Sequence, residues 1–224
     1  GKCEQGALVR GIVPVGSLIK LNGEPVKVTA KGQFAIGFDR DAKAEQMIEI
    51  VYPTGLIELK PLNVAAREYK IDRVTGISTK IMKPDPVAQK RAAEDAKQAR
   101  AARSTFIEND AFMQDFIWPV TGRISGVYGS QRVYNDVPGN PHFGVDVARP
   151  TGTVVVAPAD GVITLAVADM FYSGGTLIID HGYGVSSTFL HLSKLYPKVG
   201  DKVSQGQKVA EVGATGRVTG PHLD

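Results

Sequence analysis

His142 and Asp146 sit in Pro141-His142-Phe143-Gly144-Val145-Asp146, and His222 and Asp224 close the chain in Gly220-Pro221-His222-Leu223-Asp224. Imidazole nitrogen and carboxylate oxygen are both zinc donors at ~2.0–2.2 Å, and imidazole is also the side chain that moves protons near neutral pH. The chain holds 4 histidines, His142, His181, His191 and His222, all in its C-terminal part. That crowding in a histidine-poor chain points to a divided metal site with proton-handling groups beside it.

Spacing says how these residues could meet. Gly144 and the β-branched residue beside it argue against one helical turn between His142 and Asp146. On a regular strand the two would share a face but stand roughly 13 Å apart, too far to share an ion. A bend at Gly144, where a bulge is sterically cheap, would let them converge. His222 and Asp224 fall on one face of a strand, roughly 6–7 Å apart. His191 ends the apolar stretch Thr188-Phe189-Leu190-His191-Leu192, a place from which a polar side chain reaches a cleft.

Around these residues, strand and turn signals alternate from Phe116 onward: 122–129, 153–157, 161–168, 175–180, 185–190, 199–203 and 208–212, with glycine at most corners. This predicts a predominantly antiparallel sheet domain. Residues 6–60 show the same texture in shorter units, with Asn22-Gly23 between apolar stretches as a strong hairpin signal. Two further strands flank Pro53-Thr54-Gly55, and Glu68 to Val74 could add another. Between the two β regions, Lys83-Pro84-Asp85-Pro86 stops a strand and caps a helix, and the alanine-rich run from Val87 to Arg103 carries good helix formers. Its apolar side is mostly alanine and its charges read as a solvated face. The expected organisation is mainly β: an N-terminal β domain over 1–82, a helical linker over 83–116 and a sheet domain over 117–224.

Composition narrows the function classes. With 224 residues, 43% apolar and 22% charged, the chain fits two modest globular domains. A net charge of +3 from 26 basic and 23 acidic residues is too balanced to indicate nucleic acid. The lone Cys3 excludes an intrachain disulfide and cysteine-rich zinc ligation. No apolar run approaches the ~18 residues of a membrane span.

Six ordered motifs then carry a resemblance. His142-Phe143-Gly144-Val145-Asp146, Ala157-Pro158-Ala159-Asp160-Gly161, Asp180-His181-Gly182-Tyr183-Gly184 and Leu190-His191-Leu192-Ser193 come first. Val199-Gly200-Asp201-Lys202-Val203 with Gln205-Gly206-Gln207, and Gly213-Ala214-Thr215-Gly216-Arg217 running into Gly220-Pro221-His222-Leu223, complete the series. Together, over about residues 117–224, they resemble the lysostaphin-type, or LytM-like, zinc metallopeptidases that cut peptide cross-links of bacterial peptidoglycan. A shorter likeness links Pro14 to Gly23 and Gly32-Gln33-Phe34 with bacterial immunoglobulin-like β-sandwich modules.

The resemblance implies zinc held by His142 and Asp146, with His191 and His222 as the catalytic pair beside a metal-activated water. His222 is the candidate base and His191 the group that stabilises the oxyanion or protonates the leaving amine, assignments that can be exchanged. The family's third ligand is a histidine two positions after His222, and here Asp224 takes that place. A carboxylate is a workable donor that leaves the metal a weaker Lewis acid. The family pattern continues past this point with another strand, so a domain cut short at Asp224 is expected.

His181, in a turn shared by the family, reads as structural. Arg132 and Tyr134 open a polar loop before His142 and are candidates for contacting a substrate carboxylate or peptide. The implied activity is a zinc endopeptidase on peptidoglycan peptides. It would act in the periplasm or otherwise outside the cytoplasm after removal of a signal peptide, with a regulatory protein as a partner for the N-terminal domain. The alternative is an inactive relative that binds and activates other wall hydrolases.

Overall fold

A computed structural model describes residues 3–75 and 85–224, so the expected boundary at 82/83 lies outside the described residues. The N-terminal region contains β1 (Leu8–Ile12), β2 (Leu18–Leu21), β3 (Glu24–Val26), β4 (Gln33–Gly37), β5 (Glu45–Val51) and β6 (Ile57–Asn63). β1 pairs with β4, and β3, β2, β5 and β6 form a second sheet in that order, all antiparallel. Period-two alternation places Phe34, Ile36, Ile48 and Ile50 inward, where they meet Val13, Ile19, Phe38 and Val64 in one core. Asn22 and Gly23 take positive φ of 50° and 88°, so the β2–β3 hairpin turns where the sequence signals it.

β7 (Ile71–Val74) precedes the helix α1 (Pro86–Arg103). Asp85 caps α1 by accepting from the amides of Val87 and Ala88, and Pro86 occupies the first turn. Ala99 and Ala102 let the helix approach Leu165, Met170 and Ile178 closely. Arg91 bonds Asp169 at 2.7 Å, and Asp95 accepts from the Phe171 amide at 2.7 Å. Small residues thus seat α1 on a sheet despite its weakly apolar face.

That sheet belongs to the C-terminal region. Its strands are β8 (Arg123–Gly126), β9 (Gln131–Tyr134), β10 (Val137–Pro138), β11 (Asp146–Ala148), β12 (Val154–Val156), β13 (Gly161–Met170), β14 (Gly174–Gly182), β15 (Val185–Leu192), β16 (Lys194–Leu195), β17 (Lys202–Val203), β18 (Lys208–Glu211) and β19 (His222–Leu223). The sheets run β15-β14-β13-β17, β19-β11-β8 and β12-β18-β16, all antiparallel. They share a core of Val147, Val155, Leu177, Ile179, Phe189 and Val209 with their neighbours. Architecture and pairing are mainly β, as the sequence predicts.

Two features depart from the sequence reading. The stretch around Arg132 is a hairpin rather than a loop, turned by Asn135 and Asp136 at φ 46° and 64°. β7 also pairs in parallel with β9, from Ile71↔Gln131 to Val74↔Tyr134, so the N-terminal region adds a strand beside the segment that leads to His142.

His181 is completely buried, with Nδ1 2.6 Å from the Asp160 carbonyl, Nε2 2.8 Å from Ser187 Oγ and its ring against Phe116. Burial, only partly offset by the Asp160 carbonyl, lowers its pKa from the ordinary 6.5. As pH falls through 6.5 the unfolded chain therefore takes up a proton before the folded one does. The stability gained by keeping this ring neutral is intact above that pH and is lost as pH falls toward the folded pKa. His191, also lowered, titrates in the same direction. We expect urea midpoints to drop below pH 6.5, and His181→Ala to cost about 1–3 kcal/mol at pH 8 by stranding its two partners while flattening the acid slope. An unchanged slope in the variant would assign the pH dependence elsewhere.

Candidate metal centre

The bend expected at Gly144 is present, and it turns Asp146 back under His142 at the start of β11. His142 Nε2 lies 3.2 Å from Asp146 Oδ1 and 3.4 Å from Asp224 Oδ2. Donors bound at ~2.0–2.1 Å around a tetrahedral ion stand about 3.3–3.5 Å apart. The two separations from His142 Nε2 therefore approach the edge length of a coordination tetrahedron, and one ligand atom from each of the three residues lies within 4.8 Å of the others. His142 Nε2 and Asp146 Oδ1 are buried yet make no hydrogen bond of ordinary geometry. Buried polar atoms are nearly always satisfied, so this unmet pair is what a site for a cation looks like, and the donor set fits zinc.

Glycine clears the space. A Cβ on Gly144 would stand 2.2 Å from Asp224 Oδ1, and one on Gly126 would stand 2.1 Å from Asp146 Oδ2. Gly144 stands out in the sequence because of its spacing. Gly126 carries no local signal, since its role arises only when β8 pairs with β11 beside Asp146.

β19 delivers the other half. It pairs with β11 through Val147↔Leu223 and Ala148↔His222, and the Leu190 amide of β15 donates to the Asp224 carbonyl at 3.0 Å. Asp224 is thereby fixed by backbone pairing, and its carboxylate reaches His142. His222 Nδ1 lies 2.9 Å from the Gly220 carbonyl, and His191 Nδ1 lies 2.9 Å from the Thr215 carbonyl. A carbonyl can only accept, so Nδ1 is the protonated nitrogen in both rings and Nε2 is left with its lone pair. The ring centroids are 4.9 Å apart, and His222 Nε2 is 3.7 Å from Asp146 Oδ1.

His191 holds this position at φ 62°, with its amide donating to Ser173. A positive φ on a residue with a Cβ is costly and persists where neighbours over-determine it.

The electrostatics follow from the geometry. Asp146 first, and then Asp224, raise the His142 pKa to about 10 against the opposing effect of burial. Burial acts to raise Asp146, but His142, followed by His222 and His191, outweighs it and holds that carboxyl below its usual range. Burial lowers His191, the Thr215 carbonyl opposes this, and the proximity of His222 adds to the lowering. A site that favours positive charge between two carboxylates thus lies next to an imidazole that favours being neutral.

Of the other candidates, Arg132 is exposed on the wall of the same cleft. Tyr134 lies on β9, where its backbone pairs with Val74 and Val137. His181 stands apart from the donor cluster, enclosed between Asp160, Ser187 and Phe116.

In this mainly β region, three side chains that could hold a metal ion lie beside two imidazoles. Residues 140–224 match the profile of Peptidase family M23. Peptidoglycan DD-endopeptidase ShyA of Vibrio cholerae is 47% identical over 83 residues, which is 37% of this chain and 19% of that relative. Peptidoglycan DD-endopeptidase ShyB of the same organism is 40% identical over 105 residues, 47% of this chain and 21% of that relative. The chain therefore spans about a fifth of the length of these curated relatives. A solved structure of a Pseudomonas aeruginosa protein assigned to peptidase M23 aligns over 100% of this chain and 88% of its own, at 28% identity and a TM-score of 0.75. That alignment takes in the N-terminal β region as well as the C-terminal one.

Gly126→Ala and Gly144→Ala should each weaken zinc binding by at least about tenfold, because a displaced ligand is the only relief for the added methyl. Competition with a chromophoric chelator would measure it, and wild-type affinity in both variants would show that the carboxylates do not need the space these glycines clear.

Proposed function

We propose that the C-terminal domain is a zinc-dependent endopeptidase acting on peptide cross-links of bacterial peptidoglycan, with His142, Asp146 and Asp224 as the metal ligands. The observation that carries the reading is the convergence of His142 Nε2 on the two carboxylates at 3.2 and 3.4 Å with no competing hydrogen bond. Zinc, when bound there, supplies a Lewis acid for the scissile carbonyl and lowers the pKa of water toward ~7.

The chain's own residues do the rest. His222 presents Nε2 next to the ligand Asp146 and takes the proton of the attacking water. The imidazolium so formed returns that proton to the leaving amine. His191, whose pKa burial lowers and whose Nδ1 donates to the Thr215 carbonyl, presents Nε2 to the reacting group as a hydrogen-bond acceptor. Arg132, exposed on the cleft wall, is placed to meet a carboxylate of the stem peptide. The names of the Vibrio relatives support peptidoglycan as the polymer, and with it a site of action outside the cytoplasmic membrane. Among the described residues no helix is long and apolar enough to cross a membrane.

Digestion of purified peptidoglycan, with fragments read by mass spectrometry and zinc measured on the same sample, tests the assignment. His222→Ala should abolish cleavage and keep most of the zinc, whereas His142→Ala should lose both. Equal zinc loss in the two variants would overturn the division between ligand and base, and zinc-loaded wild type that releases no peptide-cleaved fragment would overturn the activity.

A further inference from the structure

Arg40 lies in the N-terminal region, in the turn between β4 and β5, yet it is buried and its side chain keeps only 10% exposure. Taking a guanidinium out of water is expensive unless its donors are met. They are met largely across the domain boundary: Nε donates to the Gly129 carbonyl at 2.9 Å, Nη2 reaches Gln131 Oε1 at 3.4 Å, and Nη1 pairs with Asp41 at 2.9 Å. The guanidinium stacks 4.5 Å from the Tyr69 ring centroid, and the Tyr69 hydroxyl donates to the Arg40 carbonyl at 3.0 Å.

Gly129 is not an arbitrary partner. Its amide donates to the His142 carbonyl at 2.7 Å, the His142 amide donates to the Ser130 carbonyl at 2.8 Å, and His142 Nδ1 faces the Val127 carbonyl at 3.4 Å. Residues 127–130 thus hold His142 by its amide, its carbonyl and its ring. The same four residues rest on the N-terminal region. A Cβ on Gly129, at φ +82°, would stand 2.1 Å from the Tyr69 ring, and one on Gly6 would stand 2.6 Å from the Tyr128 ring. Lys70 accepts from the Gln131 amide at 2.9 Å where β7 joins β9.

We propose that Arg40 is a positioning residue for the metal centre, acting from the N-terminal domain through the Gly129–Ser130 turn that fixes His142. The N-terminal domain is thereby a structural part of the metal site. Removing the guanidinium frees the Gly129 carbonyl and lets the turn, and with it Nε2 of His142, leave the tetrahedral edge. The inference rests on the reading of His142, Asp146 and Asp224 as ligands.

The experiment titrates zinc and cobalt into the full chain and into Arg40→Met, Arg40→Lys and Lys31→Ala. Cobalt d–d absorption reports ligand geometry, and thermal melting of the metal-free proteins reports folding. Lys31 of the N-terminal region forms an exposed ion pair with Asp110 of the linker that does not touch the His142 turn, so it controls for loosened docking of the N-terminal region. Arg40→Met should raise the zinc dissociation constant about tenfold, the scale of a lost outer-shell contact, and shift the cobalt bands. Arg40→Lys should recover part of both, and Lys31→Ala should match wild type. Unchanged affinity and spectrum in Arg40→Met, or equal weakening in Lys31→Ala, would overturn the proposal. If Arg40→Met does not fold, Arg40→Lys carries the test: several-fold weaker binding supports the proposal, and wild-type binding defeats it. A wild-type chain that binds neither metal would instead defeat the ligand assignment itself.

Discussion

Two carboxylates and an imidazole nitrogen brought within hydrogen-bonding distance, without forming ordinary hydrogen bonds, set the terms for the rest of this fold. Asp146 and Asp224 repel one another, and burial increases the cost of that repulsion. Something positive must lie between them. The His142 ring can play that part by holding its proton up to about pH 10, and a divalent cation plays it better because it also satisfies Nε2. The surrounding scaffold serves this convergence: the bend at Gly144, the Cβ-free space at Gly126, the pairing of β19 with β11, and the strained backbone at His191.

The proposed cation site and the proposed proton-handling pair are built by opposite means. His142 gains charge from carboxylates, whereas His191 loses it through burial and the nearness of His222. Environments that push neighbouring titratable groups apart are how one cleft supports both binding and acid–base chemistry at one pH. The backbone carbonyls of Gly220 and Thr215 complete the arrangement by fixing which nitrogen of each of the two imidazoles keeps its lone pair.

Much of this was legible in the residues themselves, because it rests on local chemistry. Asn22-Gly23 turns its hairpin through positive φ, Asp85-Pro86 starts α1, and Gly144 bends the chain between two donors. What escaped the sequence depends on contacts between distant segments. The hairpin at Asn135-Asp136 lacks the glycine that usually marks such a turn. The parallel pairing of β7 with β9 joins strands separated by the whole of α1, and no periodicity announces it. Arg40 looks like an ordinary surface arginine until the fold closes over it, and Gly126 matters only because Asp146 arrives opposite. Asp224 is the opposite case: its departure from the family pattern is visible in the sequence itself, and its carboxylate lies 3.4 Å from His142 Nε2.

X-ray absorption at the zinc edge of the zinc-loaded protein tests the central claim most directly, because it reads the ligand shell rather than its consequences. The account predicts a first shell at ~2.0–2.1 Å made of one imidazole and carboxylate oxygens, with the oxygen contribution reduced in Asp224→Ala. A shell with two or more imidazoles, or one identical in Asp224→Ala, would contradict it.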